Sequence, residues 1–93
     1  MDGKDSLRIL REEIEKVTLE ILELCGRRLF LARKIGEIKT EEGIPIEDLD
    51  VEERLKSKIV ERCRHIGLDP KFGLRLLDIL LDESKRIQRT ATS

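Results

Sequence analysis

From Leu7 to Ile38 the apolar residues recur at Leu7, Leu10, Ile14, Val17, Ile21, Leu24, Leu31, Ile35 and Ile38, the three-four alternation of a helix that buries one stripe. One beat of the series falls on Arg28. A guanidinium in a dry helical seam needs a counter-charge, so this position predicts a buried carboxylate partner or an anionic ligand. The stripe stops where Glu42-Gly43-Ile44-Pro45 supplies a glycine end followed by a proline that cannot continue the helix. The pattern predicts a first helix over residues 6–41, starting near Asp5 or Ser6.

Two shorter helices follow. Asp50 with Glu53 fits a capping box, with Asp48 as a competing cap, and Val51, Leu55, Ile59, Cys63 and Ile66 form one apolar face up to Gly67. This predicts a second helix over 50–66. Asp69-Pro70 is a cap and first-turn pair for a third helix over 70–89, whose stripe is Leu76, Leu77, Leu80, Leu81 and Ile87. Ser84 and Gln88 fall in line with Leu76 and Leu80, so two polar groups share a core-facing row. Gly26, Gly36 and Gly73 sit inside helices at about 1 kcal/mol each relative to alanine, which predicts a close approach of backbone or ligand at each. No strand-like alternation or internal repeat occurs, and the tail Thr90-Ala91-Thr92-Ser93 reads as disordered. The expected fold class is all-α, a single domain over 1–93.

The length of the first helix sets a geometric problem. About 35 residues at 1.5 Å each make a rod of about 50 Å, whereas a compact chain of this size has a radius of gyration of about 12 Å. The rest of the chain covers only part of the long stripe. The remainder is most economically buried against a second copy, so an intertwined homodimer is expected.

Composition removes several function classes. With 19 Lys and Arg against 20 Asp and Glu, there is no broad basic surface for nucleic acid and no polybasic stretch for a membrane. An anion site has to be local. No window approaches a membrane span and the N-terminus lacks a signal-peptide pattern, so the chain reads as cytoplasmic. Cys25 and Cys63 make no CxxC pair and His65 is the lone histidine. Small buried thiols are expected, with no metal site and no disulfide framework. Charged residues make up 42%, with no Asn, Trp or Tyr, a balance similar to that of heat-adapted proteins. Gln88 is the only side-chain amide.

Heptad numbering with Leu7 at position a places Arg28 at a, and Arg11 and Lys39 at e beside the seam. Taken singly, these and their neighbours have ordinary readings. Arg11 and Lys39 shield the edge of the seam, Asp48 caps a helix, Glu52 pairs with a surface lysine, and Ser84 bonds back to a carbonyl one turn earlier. Arg28 resists such a reading.

Together the segments Leu10-Arg11-Glu12-Glu13-Ile14, Arg27-Arg28-Leu29-Phe30-Leu31-Ala32, Gly36-Glu37-Ile38-Lys39, Pro45-Ile46-Glu47-Asp48 with Glu52, and Glu83-Ser84 with Gln88 are informative in their order and spacing. The chain resembles the all-helical class of chorismate mutases, as a monofunctional domain, over nearly its whole length. That resemblance implies a six-helix homodimer with two shared active sites and no cofactor. It implies that Arg28 and an Arg11 from the other protomer each hold a carboxylate of chorismate, and that Lys39 and Gln88 donate to its ether oxygen. It further implies that Glu52 holds the ring hydroxyl, with Asp48 and Ser84 as supporting contacts. The family commonly carries an arginine just before the equivalent of Glu52. Here that position is Val51, which leaves Arg54, one helical turn on, as the expected partial substitute and makes a partner enzyme of the shikimate pathway relevant to activation. Two alternatives remain at this level: an isochorismate pyruvate-lyase with a similar cationic pocket, and a non-catalytic helical dimerisation module.

Overall fold

A computed structural model describes residues 2–90 of the chain. They form α1 (Gly3–Glu42), α2 (Leu49–Ile66) and α3 (Pro70–Thr90), with no strand among the described residues. α1 begins earlier than the apolar stripe requires because Asp2, in extended backbone, accepts the Asp5 N–H at 2.9 Å and caps the first turn. At its other end Gly43 adopts the left-handed conformation, φ 66°, which only glycine reaches without steric cost. The N–H groups of Gly43 and Ile44 then satisfy the otherwise orphaned carbonyls of Lys39 and Thr40.

α2 is capped by Asp48, not Asp50. The Asp48 carboxylate accepts the Val51 N–H at 3.1 Å, and this earlier start places Asp50 and Glu52 in the first turn, where the helix dipole favours negative charge. α3 starts as expected, with Asp69 accepting the Lys71 N–H at 2.9 Å. It runs through Thr90, so the first residue of the expected disordered tail is helical. Residues 91–93 lie outside the described residues.

α3 packs against α1 along one part of its length and against α2 along another, with no direct packing between α1 and α2. Two of the three interior glycines mark the places where helices approach most closely. A Cβ on Gly36 would lie 2.9 Å from the Gln88 Cα, and one on Gly73 would overlap the Cys63 Sγ. Gly26 differs, since nothing stands within 4 Å of its Cβ position. The buried row of α3 is Gly73, Leu77, Ser84 and Gln88. Leu76, expected on that row, is turned outward and 41% exposed, because the buried row reaches Ser84 from Leu77 by a seven-residue step, two helical turns, in place of two four-residue steps through Leu76 and Leu80. Cys63 is buried beneath Gly73, whereas Cys25 is only half-buried; both thiols are free.

The molecule measures 61 × 28 × 14 Å, with a radius of gyration of 17.5 Å, well beyond the 12 Å or so of a compact chain of this size. The excess comes from α1, whose first half projects past the other helices with Leu10, Ile14 and Leu24 exposed. No helix is long and apolar enough to cross a membrane among the described residues.

Candidate active site

The half of α1 that does pack against α3 forms, with the start of α2, a cleft of about 470 Å³, within the size range of small-molecule sites. Leu31, Ala32 and Ile35 of α1, with Ile46 and Val51, supply its apolar surface. Into it project Arg28 and Lys39 of α1, Asp48 and Glu52 at the start of α2, and Ser84, Lys85 and Gln88 of α3. All the candidate residues except Arg11 therefore meet in one place. Arg11 lies on the exposed part of α1, roughly 25 Å from Arg28 along the helix axis at 1.5 Å per residue.

Helical spacing explains the convergence. Arg28, Leu31, Ile35 and Lys39 follow one another at three- and four-residue steps and so share a face of α1. Ser84 and Gln88 are one turn apart on α3, and the missing side chain at Gly36 lets the α3 backbone come close enough for Gln88 to enter the cleft wall. Both polar α3 residues are 7% exposed, in a position that normally demands a hydrogen-bond partner.

Arg28 donates to the Leu80 carbonyl at 3.1 Å and to the Ser84 hydroxyl through the same nitrogen. Ser84 is thus an acceptor for Arg28 and does not bond back along its own helix; the guanidinium takes the carbonyl one turn earlier instead. No carboxylate pairs with Arg28 among the described residues. Of the two partners its position predicts, the carboxylate is therefore lacking among the described residues. Lys39 donates to the Ile46 carbonyl at 2.6 Å, which fixes its ammonium group at the mouth of the cleft while leaving two of its three N–H bonds available.

Lys85 is the residue that the sequence reading missed. Its ammonium lies 2.7 Å from Glu52 and 3.2 Å from Glu47. The hydrogen bond to Glu52, then that to Glu47, raises its pKa above the ordinary lysine value of 10.5, against a smaller opposing effect of burial. Glu52 does pair with a lysine, yet the pair stands in the cleft wall, with the two side chains only 14% and 20% exposed. Arg54, expected to compensate for Val51, is exposed and does not line the cleft. The signal for Lys85 was available: it precedes Gln88 by three residues, a spacing that makes the two neighbours on the surface of α3.

The cleft combines fixed cations with a buried neutral amide donor, an arrangement suited to a small polyanion on which charge must be recognised at more than one point. Residues 10–89 match the family described as chorismate mutase type II, and the chain belongs to that family of isomerases. Among its relatives, the chorismate mutase of Methanocaldococcus jannaschii is 31% identical over 85 residues, covering 91% of this chain and 86% of that protein. The bifunctional chorismate mutase/prephenate dehydratase of Aquifex aeolicus is 39% identical over 72 residues, 75% of this chain but only 20% of that longer protein. The 4-amino-4-deoxychorismate mutase of Streptomyces venezuelae is 25% identical over 88 residues, 95% of this chain and 85% of that protein.

Proposed function

We propose that the chain is a chorismate mutase of aromatic amino-acid biosynthesis and that the cleft is its catalytic site. The observation that carries the assignment of the site is Arg28: a cation held by a hydroxyl and a carbonyl in a cleft it shares with Lys39 and Gln88, with no carboxylate partner among the described residues. The reaction converts chorismate to prephenate within one molecule, breaking a carbon–oxygen bond as a carbon–carbon bond forms. Such a rearrangement calls for neither a nucleophile nor a cofactor. It does require the substrate to be held in a compact reactive conformer, and the negative charge growing on the ether oxygen to be stabilised.

In this reading Arg28 binds one substrate carboxylate through a planar fork already oriented by Ser84 and Leu80. Lys39 and Gln88 donate to the ether oxygen, and because neither reorganises as the bond stretches, each is worth about 3 to 4 kcal/mol in the transition state. Glu52 accepts from the ring hydroxyl, with Asp48 beside it. The second substrate carboxylate is held by Arg11 from another copy of the chain. That part of the proposal is supported by the stripe Leu10, Ile14, Val17, Ile21 and Leu24, which begins beside Arg11 and which this chain's own α2 and α3 leave exposed. An intertwined six-helix homodimer would bury the stripe and bring Arg11 to the cleft of its twin. A cytoplasmic location is part of this proposal. An enzyme consuming prephenate is the partner class suggested by the bifunctional relatives.

The test is product analysis with the purified protein. Chorismate should be consumed with an equal amount of prephenate formed, in the presence of a chelator. Release of pyruvate from isochorismate, with chorismate untouched, would make the chain a lyase instead, and no reaction with either would leave a helical dimerisation module.

A further inference from the structure

Lys85 and Glu52 line the same cleft, and the Lys85 ammonium is already bound to that carboxylate at 2.7 Å. With Glu47 as a second partner at 3.2 Å, two of its three N–H bonds are engaged with carboxylates, and an ammonium has no acceptor to offer. Glu52 in this pair retains lone pairs for one more donor while its charge is largely compensated. A neutral hydroxyl meets both demands, since it donates to Glu52 and brings no charge. An amine at the same ring position is protonated at neutral pH as ordinary aliphatic amines are, and to reach Glu52 it must sit beside the Lys85 ammonium. Asp48 accepts the Val51 N–H through one carboxylate oxygen as the cap of α2; the contact that Lys85 governs is the one to Glu52. Val51 itself is apolar.

We propose that Lys85 sets the substrate specificity of the cleft, selecting a ring that carries a hydroxyl over one that carries an amine by occupying Glu52 with a fixed positive charge. The proposal rests on the reading of Glu52 as the residue that meets this ring substituent. Removing the Lys85 charge acts on the two substrates in opposite senses. A dianion loses a nearby cation, whereas an ammonium gains an unshared carboxylate.

The experiment compares kcat/KM for chorismate and for 4-amino-4-deoxychorismate in the unaltered protein, in Lys85→Met, which keeps most of the packing stem, and in Lys85→Arg, which keeps the charge. The unaltered protein and Lys85→Arg should prefer chorismate. Lys85→Met should shift the ratio towards the amine by roughly tenfold or more, the effect of losing one close like-charge contact at moderate dielectric. If Lys85→Met misfolds, Lys85→Gln is read by the same ratio. A variant that loses activity equally on both substrates, or that folds but acts on neither, overturns the proposal, because a purely structural salt bridge between α2 and α3 would do just that. An unaltered protein inactive on chorismate overturns the reading of the site as well, so the two failures are distinguishable.

Discussion

Gly36→Ala is the smallest change that should damage the site without touching a polar group in it. The added Cβ would stand 2.9 Å from the Gln88 Cα and 3.1 Å from its Cβ and Cγ, where carbon atoms prefer about 3.5 to 4.0 Å. One of the contacts is backbone, so a rotamer change cannot relieve it. α1 and α3 have to part locally by about 0.5 to 1 Å. Overpacking of this kind costs about 1 to 3 kcal/mol, offset by about 1 kcal/mol from replacing a glycine inside a helix. The net loss of stability should therefore be small, about 0 to 2 kcal/mol. Catalysis should suffer more. Gln88 moves with the α3 backbone, and since misplacement by about 1 Å can cost 100-fold, kcat should fall roughly tenfold or more while the helical content is unchanged. The assay is chorismate disappearance alongside urea unfolding of both proteins. A variant as active as the parent and more stable than it would show that the Gly36–Gln88 contact does not set the position of the amide.

Gln88→Glu should confine activity to acidic pH: a carboxylate facing the ether oxygen repels the growing charge, whereas the protonated acid still donates, so activity should fall as pH rises through the pKa of the new acid. A flat pH profile would place Gln88 outside the reaction. Asp48→Ala should cost about 1 kcal/mol of stability by removing the α2 cap, and Asp50→Ala only a few tenths; equal losses in denaturant unfolding would contradict the capping geometry. Arg11→Ala and Arg28→Ala should each be nearly inactive, yet unfolding and refolding an equal mixture should return roughly a quarter of the wild-type sites, because half the dimers are mixed and each mixed dimer holds one intact pocket. No recovery despite verified subunit exchange would place Arg11 outside a shared site.

The helices were legible because their signals are local. The apolar stripe, Gly43 and Gly67 as stops, and Asp69-Pro70 as a start all act within a turn or two of themselves, and the three helices appear where those signals lie. Choices between neighbouring caps were less legible, since Asp48 and Asp50 offer the same chemistry and only the phase of α2 against the cleft separates them. The polar row on α3 was readable from Ser84 and Gln88. Its buried phase was not, and it runs through Leu77 in place of Leu76. The convergence of Arg28, Lys39, Glu52 and Gln88 could be inferred from the family resemblance, because no local rule brings residues of three helices together. Lys85 escaped for a related reason. Its meaning comes from Glu52 on another helix, and a lysine on an amphipathic helix usually reads as a solvated one.

A crystal structure with a bicyclic dicarboxylate that mimics the transition state would decide whether this cleft binds the rearranging substrate. The mimic should lie in the cleft, with one carboxylate on Arg28, the other on Arg11 from a second copy, and the ether oxygen within hydrogen-bond reach of both Lys39 and Gln88. A mimic bound elsewhere, or a cleft in which Arg28 stays on Ser84 and Leu80 alone at saturating ligand, would contradict it.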